Sequence, residues 1–240
     1  MAPQTKILFD QAYNLIGRHI ESPLCLKCGS FQIQKSAFCG NCENNFLAPR
    51  ISFYKVQNLS AFKNQPAEHV PIYSFIRWKK YESDSLSEWV YLLKNKVSQP
   101  RWDWVAENLS SNPKIQELKL NQNSILIPIP GHRKSYHTQN FCKALSRVFG
   151  CAVIENTFSF LHLERQQKRL GLQERGDIKL ILNEEITGLL QYAERLVLVD
   201  DIVTTGATLK SAVQTLYKAG INHGTLQNKD ISAVTLFYRV

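Results

Sequence analysis

Two groups of residues in this chain have the types and spacing to do chemistry. Cys25, Cys28, Cys39 and Cys42 form a C-x2-C-x10-C-x2-C pattern within CLKCGSFQIQKSAFCGNC. Two residues between paired cysteines let each pair turn back on itself, so two knuckles can present four thiolates tetrahedrally, as structural zinc prefers. Gly29 and Gly40 follow Cys28 and Cys39, where tight turns need permissive backbone angles. Paired disulfides are the competing arrangement, disfavoured in a reducing cytosol. A C-x-x-C redox site is disfavoured by the duplication. Four zinc ligands close the site against substrate and fold a segment too short to build its own core. Cys142 and Cys151 are isolated and read as buried thiols.

The second group is LVLVDDIVTTGATL, residues 196–209. An apolar run of this kind is a buried strand, and it delivers Asp200 and Asp201 to the carboxyl end of a sheet. The chain then turns through Thr204, Thr205, Gly206, Ala207 and Thr208 into a helix. Successive backbone N–H groups of such a turn, with threonine hydroxyls and the helix N-terminus, make a phosphate cradle. Gly206 lets a phosphate approach the backbone closely. The two carboxylates, a few residues away, are placed to take ribose hydroxyls or a magnesium ion. Two adjacent acids at the end of a buried strand have no packing role.

Composition sets the frame for both groups. The chain has 240 residues, 44% of them hydrophobic and 20% charged, which excludes a disordered polymer, a collagen-like repeat and a disulfide-dense miniprotein. No stretch approaches the roughly 20 consecutive apolar residues of a membrane helix, so no membrane insertion is expected. The segment MAPQTKILFDQAYNLIGRHI carries Asp10 and polar residues through its apolar run and lacks a signal-peptide core. The expected location is cytoplasmic. The net charge of +9 favours a polyanionic partner such as nucleic acid, a phosphorylated metabolite or an anionic surface. Charge that only maintains solubility is the alternative.

The surrounding elements must position these groups. Residues 4–20 have the periodicity of an amphipathic helix leading into the cysteine segment. Residues 51–69 read as a connector or short strands, and VPIYSFI (70–76) as a strand. A helix capped by Ser83 or Asp84 runs through Leu86, Trp89, Val90, Leu92 and Leu93, and a second short helix follows Pro100 through Trp102, Val105 and Leu109. SILIPIP from Ser124 has the pattern of a buried strand, 138–149 of a helix, and CAVIENTFSFL of one or two strands. RLVLVD (195–200) is a strand ending in acid, 207–219 a helix stopped by Gly220, and ISAVTLFYRV a closing strand. Strands alternating with helices imply an α/β fold with a parallel sheet flanked by helices. The expected division is residues 1–48 for an N-terminal helix and zinc-ribbon-like module and 49–240 for the α/β domain.

The segment 196–209 resembles the phosphoribosyl pyrophosphate (PRPP) motif of type I phosphoribosyltransferases: four apolar residues, two acids, two apolar residues and T-T-G-x-T. With the cysteine module before it, the chain from about residue 20 onward resembles the ComF/GntX group of competence-associated, phosphoribosyltransferase-like proteins. YSFIRWKKYESDSLSEWVYLLK is similar to the group's aromatic, LKY-bearing region. ILIPIPGHRKSYHTQNF resembles its V-P-V-P-x-H segment. RQQKRLGLQER resembles its Q-x-x-L-x-x-x-E-R block through Gln167, Leu170, Glu174 and Arg175. The loop after His132 is shorter than in that group, and Tyr136–Gln139 stands where R-G-F-N-Q is expected, with only Gln139 kept. Gly176-Asp177-Ile178 replaces an asparagine after the E-R pair. These departures fall on the loops for pyrophosphate and nucleobase, whereas the PRPP loop is intact.

The resemblance implies a type I phosphoribosyltransferase-like domain with structural zinc and with magnesium bound alongside PRPP. Displacement at ribose C1 would be the reaction of an active enzyme. Asp200 and Asp201 are then the candidate catalytic residues, contacting ribose directly or through metal-bound water. Thr204 to Thr208 would hold the 5′-phosphate. Arg133, Lys134, Arg165, Lys168, Arg169 and Arg175 are candidates for pyrophosphate or nucleic-acid phosphate, since both want basic donors. His132 and His137 are either structural or act near the leaving group, and Glu174 pairs with a neighbouring arginine. The resemblance further implies a cytoplasmic role in natural transformation, handling internalised single-stranded DNA. The alternatives are a nucleotide-salvage transferase and a zinc-dependent docking factor for a helicase or other competence protein.

Overall fold

The computed structural model describes residues 24–31, 35–56, 70–79, 84–94, 99–131, 136–161, 179–223 and 229–239. Eight strands are described: β1 (Tyr54–Val56), β2 (Ile72–Trp78), β3 (Ser124–Pro128), β4 (Ala152–Val153), β5 (Phe158–Phe160), β6 (Leu180–Leu182), β7 (Arg195–Val203) and β8 (Asp230–Arg239). Six form one sheet in the order β1-β2-β8-β7-β3-β4, and β5 and β6 form a separate antiparallel pair. Within the large sheet only β1 is antiparallel to its neighbour; β2, β8, β7, β3 and β4 run parallel. This is the α/β architecture that the alternating pattern implies. Parallel strands covered on both faces are apolar throughout, and β3 and the first half of β7 are buried almost without interruption.

The larger helices are α1 (Asp84–Leu93), α2 (Gln99–Ser110), α3 (His137–Phe149), α4 (Glu184–Leu190) and α5 (Ala207–His223). Helices α1, α2 and α3 share one core with Val197, Val199 and Leu126; α5 shares the other with Leu196, Leu198 and Ile127. The alternation of side chains along β7 sends consecutive residues into the two layers. Trp89 lies at the centre of the first layer, fully buried, with ring centroids 6.3 Å from Phe38, 6.2 Å from Trp104 and 5.8 Å from Phe237. The cysteine segment therefore packs directly on α1, whose Trp89 in turn meets α2 and β8. Two hydrogen bonds add to that contact: Trp104 Nε1 donates to Glu43 Oε1 at 3.1 Å, and Ser85 Oγ donates to the Leu26 carbonyl at 3.2 Å.

Two details differ from the expectations. Strand β7 continues past Asp200 to Val203, so Asp201 lies within it as well. Register explains the extension: β8 is long enough to pair with it through Val203↔Tyr238. Helix α5 does not stop at Gly220 but runs to His223. A glycine inside a helix costs only about 1 kcal/mol, and Gly220 is buried, so packing offsets it. Residues 51–69 contribute β1 at Tyr54–Val56, and the rest of that connector (57–69) lies outside the described residues, as does the expected helix at 4–20. Among the described residues no helix is long and apolar enough to cross a membrane.

Candidate functional site

The four cysteines converge as their spacing predicts. Their Sγ atoms all lie within 4.8 Å of one another, and Cys28 Sγ is 3.6 Å from Cys39 Sγ. Zinc–thiolate bonds of about 2.3 Å in a tetrahedron place sulfurs about 3.8 Å apart, so this donor set fits such an ion. Cys25, Cys39 and Cys42 are buried and Cys28 is exposed. All six cysteines described are free thiols, Cys142 and Cys151 buried as expected. Burial pushes the Cys151 thiol up to about 11 and Cys142 well above its ordinary value.

The two knuckles turn differently. Gly29 has φ +74°, the left-handed conformation expected of it, and its N–H bonds to the Cys25 carbonyl at 2.9 Å. In the second knuckle the left-handed residue is Ala37, φ +71°, not Gly40. Gly40 instead opens a single helical turn, Gly40–Cys42. Glu43 follows immediately and accepts from Ser36 Oγ at 2.5 Å as well as from Trp104. One carboxylate thus links the chain before the second pair to the helix packed against the cluster.

The second site is assembled at the carboxyl ends of the parallel strands. From β3 the chain crosses through α3 to β4 on one side; from β7 it crosses through α5 to β8 on the other. Helices α3 and α5 lie in opposite layers. The sheet thus changes direction between β3 and β7, and ligands of open α/β sheets bind in the crevice at such a point. The Ile129 N–H extends the β3–β7 ladder with a 2.8 Å bond to the Val199 carbonyl. Asp200 and Asp201 come next on β7.

The two acids, equivalent in the sequence, are not equivalent in the fold. Asp201 is only 8% exposed and continues the Val197–Val199 row toward α1 and α3. Its Oδ2 meets Lys94 Nζ at 2.9 Å and His137 Nε2 at 3.4 Å. Burial acts to raise the Asp201 carboxyl, but His137 and then Lys94 outweigh it and hold the group below the usual carboxylate range. Asp200 is half-buried, and its Oδ1 accepts the Asp201 N–H at 2.8 Å. Burial and the adjacent Asp201 charge push its carboxyl well above the ordinary value.

Lys94 and His137 are the residues that spacing did not bring to this site. Lys94 follows α1, whose last turn is fixed where Trp102 Nε1 donates to the Leu93 carbonyl at 3.0 Å. His137 is the first residue of α3, and its buried Nδ1 has no hydrogen-bond partner among the described residues. No local pattern marks either as a partner of Asp201, because the contact depends on where two helices end over the sheet.

Beyond the acids, Thr204 and Thr205 are exposed, Gly206 takes φ +72°, and α5 begins at Ala207. The first helical bond runs from the Lys210 N–H to the Gly206 carbonyl at 2.8 Å. The first turn of an α-helix leaves its N–H groups without helical partners and carries partial positive charge. That turn of α5 contains no acid to neutralise it. The Thr204–Thr208 turn thus ends at an acid-free helix start and is open on the threonine side, with the Ala207 N–H donating to Thr205 Oγ1 at 3.4 Å. Arg133, Lys134, Arg165, Lys168, Arg169 and Arg175, with His132 and Glu174, lie outside the described residues.

No protein-family model and no curated protein matches this chain. Among solved structures, a hypoxanthine phosphoribosyltransferase from Staphylococcus aureus is similar at 15% identity and a TM-score of 0.36, over 58% of this chain and 64% of that one. The chain thus spans less than two thirds of that enzyme's length. A glutamic acid mutant from a study of an invariant aspartic acid in HPRTs matches at 15% identity over 62% of this chain and 68% of that one, with a TM-score of 0.34. Adenine phosphoribosyltransferase from Leishmania tarentolae matches at 13% identity over 64% and 74% of the two chains, with a TM-score of 0.28.

Proposed function

We propose that this chain is a type I phosphoribosyltransferase-like protein of the ComF/GntX group that binds PRPP, or another nucleotide phosphate, together with magnesium. The observation that carries this reading is the placement of segment 200–208. Two acids, a left-handed glycine and an acid-free helix N-terminus follow one another at the point where the sheet changes direction. The 5′-phosphate takes the Thr204–Thr208 turn, the ribose hydroxyls face the acids, and pyrophosphate extends toward the crevice. Asp200, half-buried in β7, is the group that would hold magnesium, whose chemistry is to neutralise charge on the pyrophosphate. Structural zinc occupies the four-cysteine cluster in this reading.

The finer part of the proposal is the role: handling of internalised single-stranded DNA in natural transformation, in the cytoplasm. The family resemblance and the +9 net charge support it. Fluorescence anisotropy with a single-stranded oligonucleotide, across a salt series with and without magnesium PRPP, tests it. The reading expects binding without sequence preference that weakens steeply with salt and changes when PRPP is added. It also expects weaker binding when Arg133, Lys134, Lys168 or Arg169 loses its charge. Absence of binding at low salt overturns the DNA role while leaving the phosphate site standing.

A further inference from the structure

We propose that the carboxyl end of the sheet, from β7 across to β1, is a track for single-stranded nucleic acid that runs from the Thr204 turn to the cysteine segment. This rests on the reading of the chain as one that handles single-stranded DNA. Four exposed cations stand along the track: Arg239 on β8, Arg77 on β2, Arg50 in the short turn Ala48–Arg50, and Lys27 in the first cysteine knuckle. Among the described residues none of the four pairs with a carboxylate. Each lies instead against an aromatic ring. Arg239 is 5.9 Å from the centroid of Trp78 and Arg77 is 4.8 Å from that of Tyr54. Arg50 and Lys27 share Phe46, at 4.1 and 4.7 Å. A ring attracts a cation without neutralising its charge, so these groups are held in place and keep their charge for phosphate.

Strand register sets their order. Val203 pairs with Tyr238, so the next residues, Thr204 and Arg239, stand at the same level of the sheet. Arg239 pairs in turn with Trp78, the neighbour of Arg77 on β2. The Ser52 N–H donates to the Phe75 carbonyl at 2.7 Å and ties the chain just after Arg50 to the same part of β2. Phe46 then brings Lys27 beside Arg50. From β7 to β1 there are three strand spacings, about 14 Å in all, which is room for about four nucleotides once the knuckle is added. At the far end Phe31, just past that knuckle, is 67% exposed. A row of cations that follows the backbone, with an aromatic ring left in water for a base, is the arrangement that holds a single strand.

Fluorescence anisotropy of the full chain with a labelled oligothymidylate of about 15 nucleotides, across a salt series, tests the track. Arg50→Gln with Arg77→Gln removes two of its charges. Lys114→Gln with Lys218→Gln removes two exposed charges elsewhere, one before β3 and one late in α5. The track variant should bind at least about tenfold more weakly at low salt, with a log–log salt slope shallower by about 1.4, as expected for two phosphate contacts to a single strand. The second variant should weaken binding less than about twofold. Arg50→Lys with Arg77→Lys keeps both charges and should keep the wild-type slope. Equal weakening by the two glutamine variants would mean that net charge alone attracts the strand, and the track falls. Unchanged binding by the Arg50/Arg77 glutamine variant also overturns it. Phe31→Ala should weaken binding about fivefold or more, the worth of one stacked base; no change there overturns the choice of nucleic acid over another polyanion. Wild-type protein that binds no oligonucleotide at low salt removes the DNA reading itself, whereas failure confined to the variants leaves that reading intact.

Discussion

The cysteine cluster and the acid pair are built by opposite routes. All four ligands of the cluster come from one short stretch of chain, and two knuckles suffice to bring their sulfurs within 4.8 Å. The acid pair sits on one strand, but its environment comes from the ends of α1 and α3, far away in sequence. The first site is closed, with three of its four thiols buried; the second opens onto exposed threonines. On the proposed reading, the closed four-thiol site stabilises structure and the open one, with its half-buried Asp200, takes a ligand. The two meet across α1, which packs Trp89 against Phe38 of the cysteine segment and presents Lys94 to Asp201 at its far end.

The largest expected effect is on the closed site. Cys42→Ser removes a buried ligand and with it the metal, so it should lower stability by about 5 kcal/mol or more. That approaches the whole stability of a domain, typically about 5–15 kcal/mol. Chemical denaturation combined with metal analysis checks it, with one zinc per chain expected in the wild type. Full stability without metal would break the contrast between the two sites. Next comes the packing that joins them. Trp89→Ala should cost about 3–5 kcal/mol, read by the same denaturation, because that ring is fully buried against Phe38, Trp104 and Phe237.

Smaller effects sharpen the contrast between the two acids. Asp201→Asn should destabilise the protein by about 1–2 kcal/mol at neutral pH, between the values for exposed and buried ion pairs. The native Asp201 carboxyl lies below its unfolded value of about 3.9. Its contribution is therefore complete above that pH and is lost as pH falls through the lowered native value. Asp200 has the opposite sign. Its native carboxyl is raised, so its charge opposes folding above the unfolded value, and Asp200→Asn should stabilise the ligand-free protein at neutral pH. That gain should fade as pH falls below about 4, where both states are protonated. Thermal unfolding across pH 3–8 for the two variants, expected to move apart in opposite directions, checks both signs. Shifts in the same direction would mean that the acids share one role.

Much of this was legible in the sequence, and the illegible part has a physical reason. The parallel sheet follows from buried apolar runs such as Ser124–Pro128 and Arg195–Val199 alternating with helical periodicity, and these local patterns survive folding. The cysteine geometry follows from spacing alone, though the sequence pointed to Gly40 for the second turn where Ala37 supplies it. The turn through Thr204–Thr208 from β7 into α5 could be read because its residues are contiguous. The inequality of Asp200 and Asp201 could not, since it is set by which layer each side chain enters and which helices end there. Lys94 carries no local sign of its role, and His137 was legible only as a histidine near the site.

Binding of magnesium PRPP to the full-length protein, compared with binding to Asp200→Asn, tests the central claim most directly. The expected result is saturable calorimetric binding by the wild type that requires magnesium, and loss of that requirement with at least about tenfold weaker binding in Asp200→Asn, the scale of one lost charge-assisted contact. Undetectable binding by the wild type, or equal and equally magnesium-dependent affinity in the variant, would contradict the assignment of this sheet end as a PRPP site.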